Sequence, residues 1–501
     1  VEDISYDTLG IDAAHTPLTL KKKNGLYVSL HEANLINFSS MTLAPKGDGN
    51  LEAELYPWSD GIKVKLESEI ISPWRTIQIA ENSSDLLSSN MILNLNDDPE
   101  EGSDFSWVKP GKYMGVWWEM IGTNQSTWWP SANHGANNKK VIKYLDFASG
   151  IAVNSVGHSH PHVVSAIQKQ AAKLIHTSNL YNISQQQKLA KRLCDLSFAD
   201  CVFFSNSGAE ANEGAVKVAR RYMFEKGKPE RNVILCVDGC FHGRTISMLS
   251  ATSKKENRTG FGPLPGGFRH IAFNDLNSLA EQFAAKDVAA IMIEPVLGEG
   301  GAKSISKEFF KKAQELANNN NCLVISDEVQ TGIGRLGTLF GYEKTDLKPD
   351  IMAIAKGLGG GVPIGAVLAS KKIASAMKPG SHGSTFGGNP LVTASANAVL
   401  DIVAEKDFLK ILGHKIDYLS KELDKLMNEY PKFVAEVRGQ GFLRGLKLFD
   451  PVSEIQNELK KNKVLFVAAA ENVLRLLPPL TVSFEEIDIA ISALRKVACK
   501  G

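Results

Sequence analysis

Leu323-Val324-Ile325-Ser326-Asp327-Glu328-Val329-Gln330 is a short apolar run closed by two acids. It is too short for a helix and lacks the polar alternation of a half-exposed strand, so it reads as a strand buried on both faces. The same pattern recurs at residues 202–205, 233–237, 289–293, 351–355 and 364–369, with amphipathic helical patterns between them. Strands apolar on both faces and alternating with helices predict an α/β fold, a mostly parallel sheet sandwiched by helices. Open sheets of this kind bind ligands beyond the carboxyl ends of their strands. Asp327 and Glu328 stand at one such end, and Lys356 stands at another, in Ile351-Met352-Ala353-Ile354-Ala355-Lys356-Gly357.

Outward from that core the composition changes. All seven Trp lie within the first 129 residues and all six Cys lie after residue 193. The front stretches 25–30, 61–71 and 74–80 read as antiparallel β, punctuated by Gly, Asn and Pro. At 501 residues the chain exceeds what one hydrophobic core serves, which predicts two or three domains. Its 56 Lys plus Arg against 55 Asp plus Glu leave no field for a nucleic acid or an anionic membrane. No apolar run approaches the ~18 residues of a membrane helix. The chain opens on Val1, as a processed or partial sequence does.

Three motifs lead elsewhere. Cys236 and Cys240 are three residues apart and His242 does not complete a tetrahedral set, so buried reduced thiols are expected, with no metal and a cytoplasmic setting. His158, His160 and His162 read as the polar entry to a helix over 163–175. Gly332-Ile333-Gly334-Arg335-Leu336-Gly337 matches a dinucleotide fingerprint but is followed by Gly341 and Pro349 rather than by a helix, and its acids precede the glycines.

The chemistry gathers in three elements. Ser205-Asn206-Ser207-Gly208-Ala209-Glu210 joins a strand to a helix predicted over 211–226. Small residues there let backbone N–H groups approach an anion at a helix N-terminus that carries roughly half a positive charge, although the same residues also make ordinary caps. Asp327 is either catalytic or a strand-end cap. Lys356 is either a side chain snorkelling to solvent or a partly desolvated amine able to attack a carbonyl. Together they describe a pyridoxal phosphate site: Lys356 for the aldehyde, Gly208 and Ala209 for the phosphate, Asp327 for the ring nitrogen. Phe241 can stack on the ring, and Arg244 offers a fork to a carboxylate.

Residues 144–500 resemble the class III pyridoxal-phosphate aminotransferases, above all the acetylornithine branch, with the ornithine branch close behind. The segments are 144–154 with Gly157-His158, Ser207-Gly208-Ala209-Glu210-Ala211-Asn212-Glu213, Phe241-His242-Gly243-Arg244, 294–299, 326–332, Lys356-Gly357, 383–390 and Val437-Arg438-Gly439-Gln440-Gly441, in family order. The resemblance implies a fold-type-I transferase with a large domain over 144–405 and a small α+β domain over 406–501. It implies that Lys356 carries the cofactor, Asp327 meets its nitrogen, Gln330 its hydroxyl and Val329 its ring. Thr385 is expected to reach the phosphate, and Ser384 the acylated substrate, from the partner of a homodimer. Arg244 is expected to hold one substrate carboxylate and Arg438 the α-carboxylate, with Glu299 covering Arg438 between substrates. The reaction implied passes an amino group from N-acetylornithine to 2-oxoglutarate, a step of arginine biosynthesis. Ornithine, a succinylated diamine or 4-aminobutyrate are the alternative donors, and a racemase or aminomutase is the alternative on the same fold.

Residues 12–147 resemble part of the glycoside hydrolase family 97 α-glucosidases, through 24–33, 72–79 and 109–119. Glu32 aligns with a calcium-ligand position of that family, but the later barrel strands with its catalytic carboxylates have no counterpart here. The expectation for 1–143 is a β-rich segment without glycosidase activity; a glycosidase-derived carbohydrate-binding protein is the rival reading of the whole.

Overall fold

The computed structural model describes residues 143–499 and, before them, the backbone of six strands. The chain divides into two units, Val1–Ile142 and Lys143–Gly501. In the first, β1 (Leu18–Lys22), β2 (Leu26–Leu30), β4 (Glu52–Tyr56) and β5 (Ile62–Lys65) form one sheet in that order, and β3 (Ser40–Leu43) pairs with β6 (Arg75–Gln78). The pairings are antiparallel except β2 with β4, which is parallel. That exception corrects the wholly antiparallel expectation, because local alternation carries no information on strand direction. Glu32 and the seven Trp lie outside the described residues.

The second unit is built on seven strands: β7 (Cys201–Ser205), β8 (Val233–Val237), β9 (Phe268–Ile271), β10 (Val288–Ile293), β11 (Leu323–Asp327), β12 (Ile351–Ile354) and β13 (Gly365–Ala369). Their order is β9-β8-β10-β11-β12-β13-β7. Pairing is parallel from β9 to β12, and β13 runs antiparallel to both its neighbours. Every residue of β8, β10, β11 and β12 is buried. At ~1.5–3 kcal/mol for each large apolar side chain withdrawn from water, this layer contributes a large share of the unit's stability. Asp327 pairs in register with Ala353, so the ends of β11 and β12 open side by side.

The chain then adds a smaller antiparallel sheet, β14 (Val434–Gln440), β15 (Leu443–Leu448), β16 (Val467–Ala469) and β17 (Val473–Leu476), in the order β14-β15-β17-β16. Helices Lys406–Glu429 and Phe484–Ala498 pack beside it, the latter opened by a capping box between Ser483 and Glu486. One apolar cluster runs through both layers, from Phe147, Phe340 and Leu358 to Leu474, Leu476 and Leu480. The helix expected from residue 211 is Gly208–Glu225; it starts earlier because Ser207 is its N-cap, its Oγ accepting from Glu210 N at 3.2 Å.

His160 caps the helix Pro161–Ala171, while His158 bonds Asp146 and His162 bonds Asp401. Among the described residues no helix is long and apolar enough to cross a membrane, and no group of His, Cys, Asp and Glu could hold a metal ion. Ser149, Gly150, Ile151 and Ala152 form a turn with φ of 48°, 61°, 62° and 63°, a left-handed run that costs about 1–2 kcal/mol at each non-glycine residue.

Candidate active site

A cavity of about 460 Å³ opens at the carboxyl ends of β11 and β12, lined among others by Gly208, Ala209, Phe241, Arg244, Asp327, Val329, Gln330 and Lys356. These eight residues come from segments up to 148 positions apart (356 minus 208), and parallel β-strands are what bring their ends to one edge. Lys356 stands two residues past the end of β12, on a left-handed backbone with φ of 40°. Burial, and then the nearby Arg475 cation, pull its amine down to about 8, against the opposing pull of Glu299, Glu294 and Asp327.

Asp327 ends β11, 2% exposed. Its Oδ2 accepts from Asn212 Nδ2 at 2.7 Å and from His242 Nδ1 at 2.7 Å, and its Oδ1 accepts from Val329 N at 3.0 Å. Burial pulls the His242 imidazole down, but Cys240 and the Asp327 hydrogen bond outweigh it and hold it well above its ordinary value. Burial pushes the Cys240 thiol up to about 12, so that neighbour is neutral and Asp327 is the partner that matters. The remaining ring nitrogen of His242 and the Asn212 Oδ1 are buried without a partner. Glu294 lies beside them; it accepts from Phe241 N at 2.8 Å and Gly298 N at 3.3 Å, and burial, then Asp327, push it up to about 7.

The anion end is shaped by missing side chains. A Cβ on Gly208 would stand 2.6 Å from Val329 Cγ1, and one on Gly243, at φ of 141°, 2.7 Å from Ala209 Cβ. Only glycine leaves the first turn of Gly208–Glu225 open at these points. The Arg244 guanidinium lies over the Phe241 ring at 5.3 Å.

On the opposite side the structure departs from the expected ion pair. Glu299 accepts from Arg475 Nη2 at 2.7 Å, not from Arg438. Arg438 donates to Glu436 at 2.6 Å and to Glu471 at 2.8 Å, and both carboxylates hold it away from Glu299. Arg475 lies in β17, fully buried, and its Nη1 donates to Gln330 Oε1 at 2.9 Å. A lone Arg inside Leu474-Arg475-Leu476-Leu477 was the overlooked signal, since a cation in an apolar strand requires an acidic or polar partner.

Ser384 and Thr385 do not line their own chain's cavity. Ser384 Oγ accepts from Asn206 Nδ2 at 3.1 Å and from Gly387 N at 2.9 Å, Thr385 is exposed, and Asn179 Nδ2 donates to the carbonyls of Ser384 and Gly387.

The aminotransferase class-III family model matches residues 136–498. The chain belongs to the class III aminotransferases. As a class III aminotransferase it is 49% identical over 356 residues to the acetylornithine aminotransferase of Mesorhizobium japonicum, which covers 71% of this chain and 89% of that protein. The acetylornithine aminotransferase of Methanocaldococcus jannaschii is 47% identical over 71% of this chain and 89% of its own. The crystal structure of N-acetylornithine aminotransferase from Stenotrophomonas maltophilia aligns at TM-score 0.63 and 36% identity, over 71% of this chain and 91% of that one. An ornithine aminotransferase structure from Toxoplasma gondii aligns at TM-score 0.68 and 30% identity, over 74% and 93%. The glycosyl-hydrolase 97 N-terminal model matches residues 2–98. Class III aminotransferases use pyridoxal phosphate, and the cavity of this chain fits that group: an amine, an acid end held by buried donors, an aromatic ring beside Arg244, and a glycine-lined helix start are the four features it requires.

Proposed function

We infer that this chain binds pyridoxal phosphate and transfers the amino group of N-acetylornithine to 2-oxoglutarate, yielding the semialdehyde and glutamate, a step of arginine biosynthesis. The carrying observation is the meeting of Lys356, Asp327 and the Gly208–Ala209 turn at one cavity. The bound cofactor supplies a protonated pyridine ring that draws electron density from the substrate Cα.

The chain's own groups do the rest. Asp327, fixed by Asn212, His242 and Val329 N, keeps the proton on the ring nitrogen. Gln330 has its Oε1 engaged by Arg475, which leaves its Nε2 to donate to the ring hydroxyl. Phe241 and Val329 cover the ring, and the N–H groups of Gly208 and Ala209 hold the phosphate. The Lys356 amine would take up and return a proton at the substrate Cα, a task suited to a group at about 8.

Arg475 rather than Arg438 takes the α-carboxylate of glutamate or 2-oxoglutarate. Glu299, 34% exposed at its side chain, leaves Arg475 to admit that carboxylate and returns to cover the cation when N-acetylornithine binds. Arg244 receives the other carboxylate.

The site is shared between two copies. Leu180, Tyr181 and Phe386 are 85%, 67% and 60% exposed on the two loops that Asn179 ties together, an apolar surface suited to a second copy. Thr385 of the partner subunit then reaches the phosphate and Ser384 of the partner subunit the acyl group. The six free cysteines suit a reducing cytoplasm.

Borohydride reduction of cofactor-supplemented protein followed by peptide mapping tests the assignment: a pyridoxyl adduct on Lys356 is expected, and an unmodified Lys356 in folded protein overturns it. A panel of N-acetylornithine, ornithine, N-succinylornithine and 4-aminobutyrate, each with and without 2-oxoglutarate, ranks the donors.

A further inference from the structure

The glycine motif at residues 332–337 opens no dinucleotide site, yet its arginine is a buried cation of the second unit. Arg335 is 2% exposed and pairs with no carboxylate among the described residues. Its Nη1 donates to the carbonyls of Pro478 at 2.5 Å and Phe442 at 3.2 Å, and its own carbonyl accepts from Phe442 N at 2.9 Å. Burial pulls it down to about 9, which leaves it charged at neutral pH. Its Nη2 is buried without a partner, and a buried cation with only neutral oxygens for partners often stabilises a fold no more than an apolar side chain of similar volume does. Its value is therefore geometric, and the two carbonyls it holds say where.

Phe442 lies in the β14–β15 turn and Pro478 lies three residues beyond Arg475, just past the end of β17. The glycines on either side make the approach possible. A Cβ on Gly334, at φ of 89°, would stand 2.7 Å from Leu480 Cδ1; one on Gly441, at φ of 59°, would stand 2.5 Å from the carbonyl of Arg335 and from Leu336 Cα. The same segment is tied again by Leu477 N to the carbonyl of Phe147 at 2.6 Å and by Leu480 N to that of Ser155 at 2.7 Å. Ser155 Oγ in turn donates to the carbonyl of Gly357, the neighbour of Lys356, at 2.8 Å. An unbroken set of short bonds thus joins the strand that carries Arg475 to the turn that carries Lys356.

We propose that Arg335 is a positioning residue: by seating Pro478 and Phe442 against the large domain it fixes Arg475 relative to Lys356 and so sets the affinity for the substrate α-carboxylate. The proposal rests on Arg475 being the carboxylate anchor, and its test separates the two. In full-length cofactor-loaded protein, steady-state kinetics with N-acetylornithine and 2-oxoglutarate are compared for Arg335→Met, Arg335→Lys, Arg475→Lys and the double variant Arg335→Met/Arg475→Lys. Arg335→Met is expected to raise KM for 2-oxoglutarate about tenfold while kcat stays within about threefold and the cofactor absorbance is unchanged, a displacement of the anchor rather than of the chemistry. The double variant is expected to be no worse than Arg475→Lys alone, because Arg335 acts through the group already altered. Arg335→Lys, which keeps the charge and reaches one carbonyl, is expected to fold even if Arg335→Met does not, and to raise KM by about threefold.

A wild-type KM in Arg335→Lys and Arg335→Met, or effects that multiply in the double variant, overturns the positioning role. If Arg475→Lys itself leaves KM for 2-oxoglutarate unchanged, the anchor reading fails and takes the proposal with it.

Discussion

Asp327 and Arg475 are buried beside the same cavity, and they are held in opposite ways. Asp327 is gripped by three donors of the large domain, the buried Asn212 and His242 and the part-buried backbone N–H of Val329. Arg475 has an amide oxygen and one carboxylate, Glu299, whose side chain is 34% exposed, and its Nε has no partner. A group fixed by buried neighbours suits a ligand that stays, whereas a cation covered by a half-exposed counter-ion suits ligands that alternate. On the function proposed above, the large-domain side of the cavity serves as a permanent seat and the small-domain side as an exchangeable one.

The largest effect falls on the permanent side. Lys356→Ala is expected to lower turnover by at least about 10⁴-fold and to abolish borohydride trapping while leaving the oligomer unchanged by size-exclusion chromatography; appreciable turnover would move the chemistry elsewhere. On the exchangeable side, Arg475→Lys keeps the charge and loses the two-pronged contact, so KM for 2-oxoglutarate is expected to rise about tenfold, while Arg438→Lys stays within about twofold. Equal responses of the two arginines would erase the contrast. Glu299→Gln removes the counter-ion and keeps its shape; the ratio of kcat/KM for glutamate to that for N-acetylornithine should rise about three- to tenfold, and an unchanged ratio counts against alternation.

The smallest effect is one of pH. Since Lys356 loses its proton near 8, the neutral amine becomes more abundant as pH rises. Cofactor capture by the apoprotein should therefore quicken about tenfold per pH unit below that value and level off above it. A rate still climbing at pH 10 would mean an amine at its ordinary value.

The permanent side was legible in the sequence because its groups stand at ends of strands that are apolar on both faces, and a parallel sheet makes such ends neighbours. The strand Phe268–Ile271 was not, because three of its four residues are half-buried and Arg269 and His270 interrupt the apolar pattern. On the other side the family resemblance points to Arg438 as the partner of Glu299, whereas the arginine that pairs with it is Arg475, 176 positions distant. Which of two arginines meets a given carboxylate depends on how one sheet docks on another, and that information is not local. In the first unit the parallel pairing of β2 with β4 escaped notice for the same reason.

The turn at Ser149–Ala152 is coiled against the handedness of L-residues, and three of its members have a Cβ to suffer for it. Summed, the conformational cost of about 3–6 kcal/mol rivals the net stability of many domains; it is offset by the turn's own bonds, among them Ala148 N and Ser149 N to Asp146 Oδ1, and by its tethered flanks, through Phe147 to Leu477 and through Ser155 to Gly357 and Leu480. The turn is therefore clasped from two sides, by Leu477 and Leu480 of the small domain and by Gly357 of the large one, and it can unwind only if both let go.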